Sequence, residues 1–190
     1  MSPMPPASAS AAAHRETTAL LGMTVFVASW VMLFASLFFA YAVVRVRAIL
    51  WPPASLPPLP LGLPGLGTLF LGLASGALAS VVRFPARLST TRWRLFMAWA
   101  GGGGFLLVQI SVWRNLWAQG LRPDSGPYGS VFYGLTAFHA LHVAVGIGAI
   151  LVLLARAHRP GARLGQRLWA VYFHMVGALW LAVFVGVYWL

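Results

Sequence analysis

Five long apolar runs constrain this sequence more strongly than any other feature. They cover residues 19–44, 61–82, 94–117, 130–155 and 168–190. A helix needs about 20 apolar residues to cross a bilayer, and none of the runs shows the alternating pattern of a membrane β-barrel. Charged residues make up 8% of the chain, against about 25% in soluble domains. The sequence therefore predicts an all-α membrane protein with five transmembrane helices in a bundle, and it argues against a soluble enzyme.

Residues 1–18 differ from the apolar runs because they are rich in Ser, Pro and Ala. They lack the basic start and the short apolar core of a signal peptide. We interpret residues 1–18 as a disordered cytoplasmic tail and residues 19–190 as the five-helix transmembrane domain. Residues 51–64 contain six prolines, which favour extended backbone over helix. This segment is predicted to be a stiff surface loop between the first two spans.

The arginines predict the orientation of the chain in the membrane. All 13 basic residues are arginines, and the acids are Glu16 and Asp124, which gives a formal charge of +11. In a soluble protein this charge would suggest nucleic-acid binding, but here the arginines lie between membrane spans, so we expect no nucleic-acid partner. With five spans, nine arginines share the side of the N-terminus: Arg15, Arg83, Arg87, Arg92, Arg94, Arg156, Arg159, Arg163 and Arg167. The positive-inside rule then predicts a cytoplasmic N-terminus and a periplasmic C-terminus.

The loop between the last two spans concentrates positive charge. Arg156, Arg159 and Arg163 fall within eight residues there. They can bind anionic lipid headgroups, at about 1 kcal/mol for each arginine near a membrane surface, or they can act as a topology signal alone. These two interpretations are compatible.

Three histidines lie inside predicted spans, where ionisable groups are costly. His139 and His142 share one helix face with Thr136, and His142 lies about 18 Å from the outer end of its span at 1.5 Å per residue. His174 is in the last span. One interpretation is a zinc, copper or haem site formed by these histidines. The other is structural, in which neutral imidazoles make hydrogen bonds between helices; this one is favoured because no span contains the carboxylates that usually support metal ligands.

Small residues and tryptophans predict packing. Gly101–Gly104 is a run of four glycines in the third span, which lets helices approach closely or form a subunit or lipid contact. Trp30, Trp99, Trp113 and Trp180 lie deep in their spans, away from the interfacial belts that tryptophan prefers. We interpret them as packing residues.

Two sequence blocks resemble a known family. Residues 132–146 read FYGLTAFHALHVAVG, which is similar to F-Y-x-L-T-G-F-H-x-x-H-V-x-x-G, the signature of subunit III of haem-copper oxidases. Residues 172–180 read YFHMVGALW and resemble the Y-W-H-F-V-D-x-x-W pattern of that family's last helix. Gly22, Met23 and residues 37–41 fit a further helix pattern. The chain is identified as a divergent five-helix bacterial member of the family.

The chain departs from the family pattern at its membrane acids. Trp30, Val112 and Gly177 stand where the resemblance predicts carboxylates, and a fourth acid near the start of the last helix is replaced around Arg167. The histidines are retained while the acids around them are lost. We therefore expect them to contact other polar groups, with Ser29, Thr136, Ser75 and Gln109 as the candidates.

The resemblance implies a function without a catalytic centre in this chain. A subunit III binds no haem or copper itself; these cofactors belong to the catalytic subunit I and the copper-binding subunit II. It binds phospholipid and supports the stability, oxygen access and proton uptake of a terminal oxidase in the bacterial inner membrane. Two alternatives stay open at this point, a related accessory protein of nitric oxide reductase and a free-standing haem-binding membrane protein that uses the three histidines.

Overall fold

Five long helices account for most of the chain, as the apolar runs predict. The computed structural model describes residues 7–51, 53, 58–159 and 161–189. The helices are α1 (Ala7–Arg47), α2 (Gly62–Arg83), α3 (Leu88–Ala118), α4 (Pro127–Arg156) and α5 (Ala162–Val183), and α5 continues as a π-helical segment over Phe184–Trp189. All five are long and apolar enough to cross a membrane. The described residues contain no β-strand, so the predicted all-α architecture with five membrane spans is confirmed.

The first helix begins earlier than the sequence predicted. α1 starts at Ala7 and has 41 residues, so residues 7–18 are helical where we expected a disordered tail; residues 1–6 lie outside the described part. The segment ASASAAA at residues 7–13 explains the difference, because Ala has the highest helix propensity. The apolar run therefore marks the membrane-embedded part of α1 and not its start.

Other helix ends also extend beyond the apolar runs. α3 begins at Leu88 and α5 at Ala162, about one to two turns before the predicted spans, so their first turns carry the arginines. α2 begins at Gly62 and places Pro64 in its first turn, where proline is tolerated. The predicted proline-rich loop therefore ends before Gly62, and residues 52 and 54–57 of it lie outside the described part.

Side-chain contacts at the turns fix how the helices follow one another. The Arg94 guanidinium donates to the carbonyl oxygens of Ser80 and Phe84 at 2.9 and 2.8 Å, which binds the last turn of α2 to α3 by satisfying its terminal carbonyls. At the other end of the bundle, the Tyr133 hydroxyl donates to the Leu121 carbonyl oxygen at 2.8 Å. This hydrogen bond holds the α3–α4 turn against α4.

Helix α4 lies at the centre of the bundle and α1 at its edge. α4 packs against α1, α3 and α5, while α2 packs against α3 and α5. The buried residues of α4 run from Tyr128 to Leu153. In the described part of α1, Phe34 and Tyr41 are the buried side chains. The histidine-bearing face of α4 is therefore enclosed by the other helices.

Candidate functional site

His139 lies where four helices meet. Its side chain is fully buried, about 18 Å along α4 from Pro127 at 1.5 Å per residue. Phe34 of α1, Phe105 of α3 and Trp180 of α5 surround the imidazole with ring centroids 6.2, 5.5 and 5.2 Å away. Neither ring nitrogen has a hydrogen-bond partner among the described residues. His139 therefore sits in an aromatic enclosure and packs by its ring faces and edges.

His142 lies one turn further along α4. It makes a hydrogen bond to the backbone of its own helix and a ring contact with α1. Its Nδ1 lies 2.7 Å from the Phe138 carbonyl oxygen, so Nδ1 carries the proton and donates it. The Trp30 ring of α1 meets the imidazole nearly edge-on, with centroids 4.2 Å apart. The Tyr172 hydroxyl of α5 donates to the His142 carbonyl oxygen at 3.1 Å. This position therefore joins α1 and α5 to α4.

His174 belongs to a separate contact between α2 and α5. Its Nδ1 and the Ser75 Oγ lie 2.5 Å apart, and the His174 side chain is exposed on the bundle surface. The structure thus brings His139 and His142 together but not His174. Within the described residues, no three His, Asp or Glu side chains are grouped so that they can hold a metal ion.

Thr136 connects α3 to α4. Its hydroxyl donates to the Phe132 carbonyl oxygen at 2.8 Å and accepts a hydrogen bond from the Trp113 indole at 3.1 Å. A similar pair joins α2 to α5, because the Trp180 indole donates to Thr68 Oγ1 at 2.9 Å. Buried indole N–H groups are costly without an acceptor, so these two threonines each satisfy a tryptophan inside the membrane.

Of the four polar partners expected for the histidines, one is observed. Ser75 contacts His174. Ser29 donates to the carbonyl oxygen of Val25 within its own helix, and Gln109 donates to the Tyr188 hydroxyl at 3.5 Å. Aromatic rings surround both histidines of α4, and the polar partner of His142 is the Phe138 carbonyl oxygen of its own helix. Sequence reasoning missed this role of Phe34 and Phe105, since a phenylalanine in an apolar run gives no signal of its neighbours.

Comparison with known proteins matches this sequence to one family. A sequence model of the family described as cytochrome c oxidase subunit III matches residues 10–190. The chain belongs to the cytochrome c oxidase subunit III family. It is a multi-pass membrane protein, and it is a subunit III of a haem-copper oxidase.

Curated relatives from distant organisms support the same assignment. The chain is 31% identical to cytochrome c oxidase subunit 3 of the cyanobacterium Synechocystis over 177 residues, which cover 89% of this chain and 74% of the relative. It is 32% identical to a probable cytochrome c oxidase subunit 3 of Mycobacterium bovis over 185 residues, covering 92% and 89%. It is 33% identical to the subunit of the baboon Papio hamadryas, covering 88% and 68%.

The positions where this subunit III lacks the expected acids have different environments. Trp30 covers one edge of His142. Val112 is fully buried in α3. A Cβ added at Gly177 would have no atom within 4 Å. Near the start of α5, Arg167 pairs with Glu16 of α1, so positive charge at this end of α5 is matched by a carboxylate from another helix.

Two of the three candidate lipid arginines line a cavity at the end of the bundle that carries the α4–α5 turn. Arg159 and Arg163 line a cavity of about 510 Å³ together with Thr91 and Gln166. Arg156, at the end of α4, is exposed but does not line it. The cavity is therefore partly polar and open, and two of the three arginines from the sequence prediction share it.

Proposed function

We propose that this subunit III is a non-catalytic subunit of a terminal oxidase in the bacterial inner membrane. In this proposal it packs beside the catalytic subunit I and the copper-binding subunit II, and the haem and copper belong to those subunits. The observation that carries the proposal is that residues 132–146 of α4, the block that resembles the family signature, make contacts between helices. His139, His142 and Thr136 each contact at least one other helix through rings or hydrogen bonds.

These contacts favour a structural role for the histidines. Hydrogen bonds and close van der Waals packing hold membrane helices together, because lipid tails are as apolar as the side chains between them. The His142 ring contacts Trp30 of α1, and the His142 carbonyl oxygen accepts a hydrogen bond from the Tyr172 hydroxyl of α5. His142 therefore links three helices. A rigid bundle of this kind suits a subunit that stabilises a catalytic partner.

The same proposal includes lipid binding at the cytoplasmic end. Arg159 and Arg163 provide guanidinium groups around one open cavity, and Arg156 is exposed nearby in sequence. Guanidinium groups bind phosphate in a bidentate manner. We propose that these arginines bind phospholipid headgroups in the cytoplasmic leaflet.

We propose that this chain supports oxygen access and proton uptake indirectly, by acting on the catalytic subunit. Glu16 and Asp124 are the only acids of this chain, and they lie at opposite ends of the bundle, in the first part of α1 and in the α3–α4 turn. No carboxylate of this chain is therefore available in the membrane interior to carry protons. Its contribution is to stabilise the subunit that takes them up.

Purification of the tagged chain under mild conditions tests the proposal. We expect a haem-containing subunit I and a copper-binding subunit II to co-purify, with all of the visible absorption lost when the chain is separated from them. A chain that stays coloured after separation would indicate its own haem and overturn the proposal. Co-purification with a nitric oxide reductase instead of an oxidase would contradict the assignment of the partner.

The proposed orientation has its own test. The sequence contains no Cys, so single-cysteine variants report one position each. Ala86 and Ser125 are exposed in turns at opposite ends of the bundle. In intact cells, a membrane-impermeant thiol reagent should label the Ser125→Cys variant and not the Ala86→Cys variant. The reverse pattern would place the N-terminus on the periplasmic side.

A further inference from the structure

One histidine of the membrane interior lies on the outer surface of the bundle. His174 of α5 is exposed and follows Arg167 by seven residues, and its partner Ser75 of α2 precedes Arg83 by eight. At 1.5 Å per residue, both side chains are about 10–12 Å further along their helices than these arginines. Half of a hydrocarbon core is about 15 Å. The pair therefore lies at a depth where polar groups are costly.

The hydrogen bond to Ser75 determines which ring nitrogen of His174 carries the proton. Other hydroxyls in the spans, such as those of Thr24, Ser29 and Ser111, donate to a carbonyl oxygen of their own helix. The Ser75 hydroxyl instead lies 2.5 Å from His174 Nδ1, which is its partner among the described residues. A hydroxyl has one hydrogen to donate, so Nδ1 is the acceptor. A neutral imidazole then carries its proton on Nε2.

The Nε2–H group of His174 is thus a donor that needs an acceptor. Within the part of the chain that the structure describes, Ser75 is the hydrogen-bond partner of His174, and it uses Nδ1. Lipid tails contain no acceptor, and an unpaired donor in hydrocarbon costs free energy. An acceptor from outside this chain would remove that cost.

A groove along α2 and α5 passes His174. It consists of two hollows of about 540 and 290 Å³, and His174 lines both of them. The first hollow, also bordered by α1, includes Arg83 and Arg167, and the second reaches Thr68 and Leu181. From Arg83 to Thr68 the groove follows α2 for about 22 Å at 1.5 Å per residue. It is therefore long enough for another helix to lie against it over several turns.

Glycines on this surface are not used for packing within the chain. Gly72 and Gly76 of α2 are exposed and four residues apart, and Gly177 of α5 lines the groove together with Gly72. A Cβ added at any of the three would have no atom of the described chain within 4 Å. Glycine weakens a helix relative to alanine, but small residues four apart let a second helix approach closely in a membrane. The surface therefore suits a helix that comes from outside.

A second copy of this chain does not offer the missing acceptor on the same surface. Thr68 Oγ1 already accepts a hydrogen bond from the Trp180 indole and donates to the Pro64 carbonyl oxygen. Glu16 and Asp124 are the acids of the chain, and neither lines the groove. Two copies related by a two-fold axis would bring donor against donor. The hydrogen-bonding pattern therefore favours a different protein as the partner.

We infer that the α2–α5 groove binds one transmembrane helix of another subunit of the oxidase, and that this helix presents an acceptor, such as a carboxylate or an amide oxygen, to Nε2 of His174. The inference rests on the proposed function, which supplies the partner. It adds the surface of contact and the chemistry of the partner's side chain. In this contact the glycines allow close approach, and His174 sets the register of the two helices.

Competition between two forms of the chain tests the groove. Cells express the wild type together with one variant, and mass spectrometry compares their ratio in the membrane with their ratio in oxidase purified through a tag on its haem-containing subunit. Gly72→Leu fills the groove and should be at least about tenfold under-represented in the oxidase, as expected when a side chain separates two closely packed helices. An SDS titration of the purified variant should show no loss of stability, because the added side chain enters open space.

Gly148→Leu is the matched control. Gly148 is also exposed in a helix, and a Cβ added there has no atom of the described chain within 4 Å. It lies on α4 and does not line the groove. This variant should enter the oxidase as readily as the wild type.

Two substitutions of His174 test the hydrogen bond. His174→Phe keeps a ring and removes the donor, so it should be under-represented about three- to fivefold, as expected for one hydrogen bond between membrane helices. His174→Gln retains an N–H donor and should recover most of this loss. Equal loss in both variants would contradict the role of the donor.

The outcomes separate this inference from the proposed function. If the wild type co-purifies with the oxidase and Gly72→Leu enters it equally well, the groove inference is wrong and the proposed function stands. If the wild type itself is missing from the purified oxidase, the proposed function is wrong. Disulfide-linked pairs of a Gly72→Cys variant would assign the groove to a second copy and overturn the inference. Loss of a bound quinone from His174→Phe at an unchanged ratio would overturn it in favour of a small ligand.

Discussion

Two helix contacts in this subunit III are packed in opposite ways. In the glycine contact, Gly101 of α3 faces α2 so closely that an added Cβ would lie 2.8 Å from the Phe70 carbonyl oxygen and 3.0 Å from the Ala74 Cβ. In the aromatic contact, Phe34 and Trp30 of α1 place large rings against α4. One contact depends on the absence of a side chain and the other on the presence of large ones.

The difference reflects how membrane helices associate. Apolar side chains gain no hydrophobic free energy by leaving lipid tails, so attachment depends on close van der Waals packing and on polar contacts. Two helix backbones pack closely where glycine leaves no side chain between them. A helix at the edge of the bundle, such as α1, packs closely through large aromatic rings that interlock with those of its neighbour. The two contacts should therefore respond oppositely to a change in side-chain size.

The largest expected effect is at Phe34. This side chain is fully buried, and its ring lies 5.5 Å from Phe138 and 5.3 Å from His142. Phe34→Ala should lower the free energy of unfolding by about 3–5 kcal/mol, because it leaves a cavity that the rigid neighbours do not fill. An SDS titration of the purified chain, followed by circular dichroism, measures the change.

Phe39→Ala is the control for this prediction. Phe39 is on the same helix but 72% exposed, so its loss should change the free energy of unfolding by no more than about 0.5 kcal/mol. Equal effects of the two substitutions would mean that α1 is not held by its buried ring.

At the glycine contact the damaging change is an addition. Gly101→Ala brings a methyl group against the Phe70 carbonyl oxygen, which is backbone and cannot rotate away. We expect a loss of about 1–3 kcal/mol, as for overpacked cores. The same SDS titration measures it.

Gly103→Ala provides the matched comparison two residues away. A Cβ at Gly103 would have no atom within 4 Å, and Ala has a higher helix propensity than Gly by about 1 kcal/mol. This variant should be neutral or slightly stabilising. If both glycine variants lost stability equally, helix flexibility and not close approach would explain the glycine run.

The sequence predicted the glycine run as a packing element but not which glycines face a neighbour. Gly101 and Gly103 are identical in type and lie two residues apart in the run, yet their surroundings differ completely. Whether a residue of a helix faces a neighbour depends on where the other helices pack around it, and α3 contacts both α2 and α4. Which glycine faces a neighbouring helix is therefore decided by the assembled bundle, and the spacing of residues in one sequence does not reveal it.

The histidines show the same limit. Their depth and the shared face of His139 and His142 followed from spacing on one helix. The enclosure of His139 by Phe34, Phe105 and Trp180 did not, because those rings come from three other helices. The pairing of His174 with Ser75 was among the candidates, since both are polar residues in apolar runs. A polar residue in an apolar run can thus be named as a candidate partner, whereas an aromatic enclosure leaves no mark in the pattern of polar residues.

The smallest expected effect is at the ion pair that joins the first part of α1 to the start of α5. Glu16 and Arg167 are 42% and 53% exposed, and exposed ion pairs contribute about 0–1 kcal/mol and are screened by salt. Glu16→Gln should therefore lower the free energy of unfolding by a few tenths of a kcal/mol at low salt. The loss should shrink when the SDS titration is repeated at high NaCl concentration, and Arg167→Gln should behave alike. An effect as large as that of Phe34→Ala would mean that charge, and not the aromatic contact, holds α1 to the bundle.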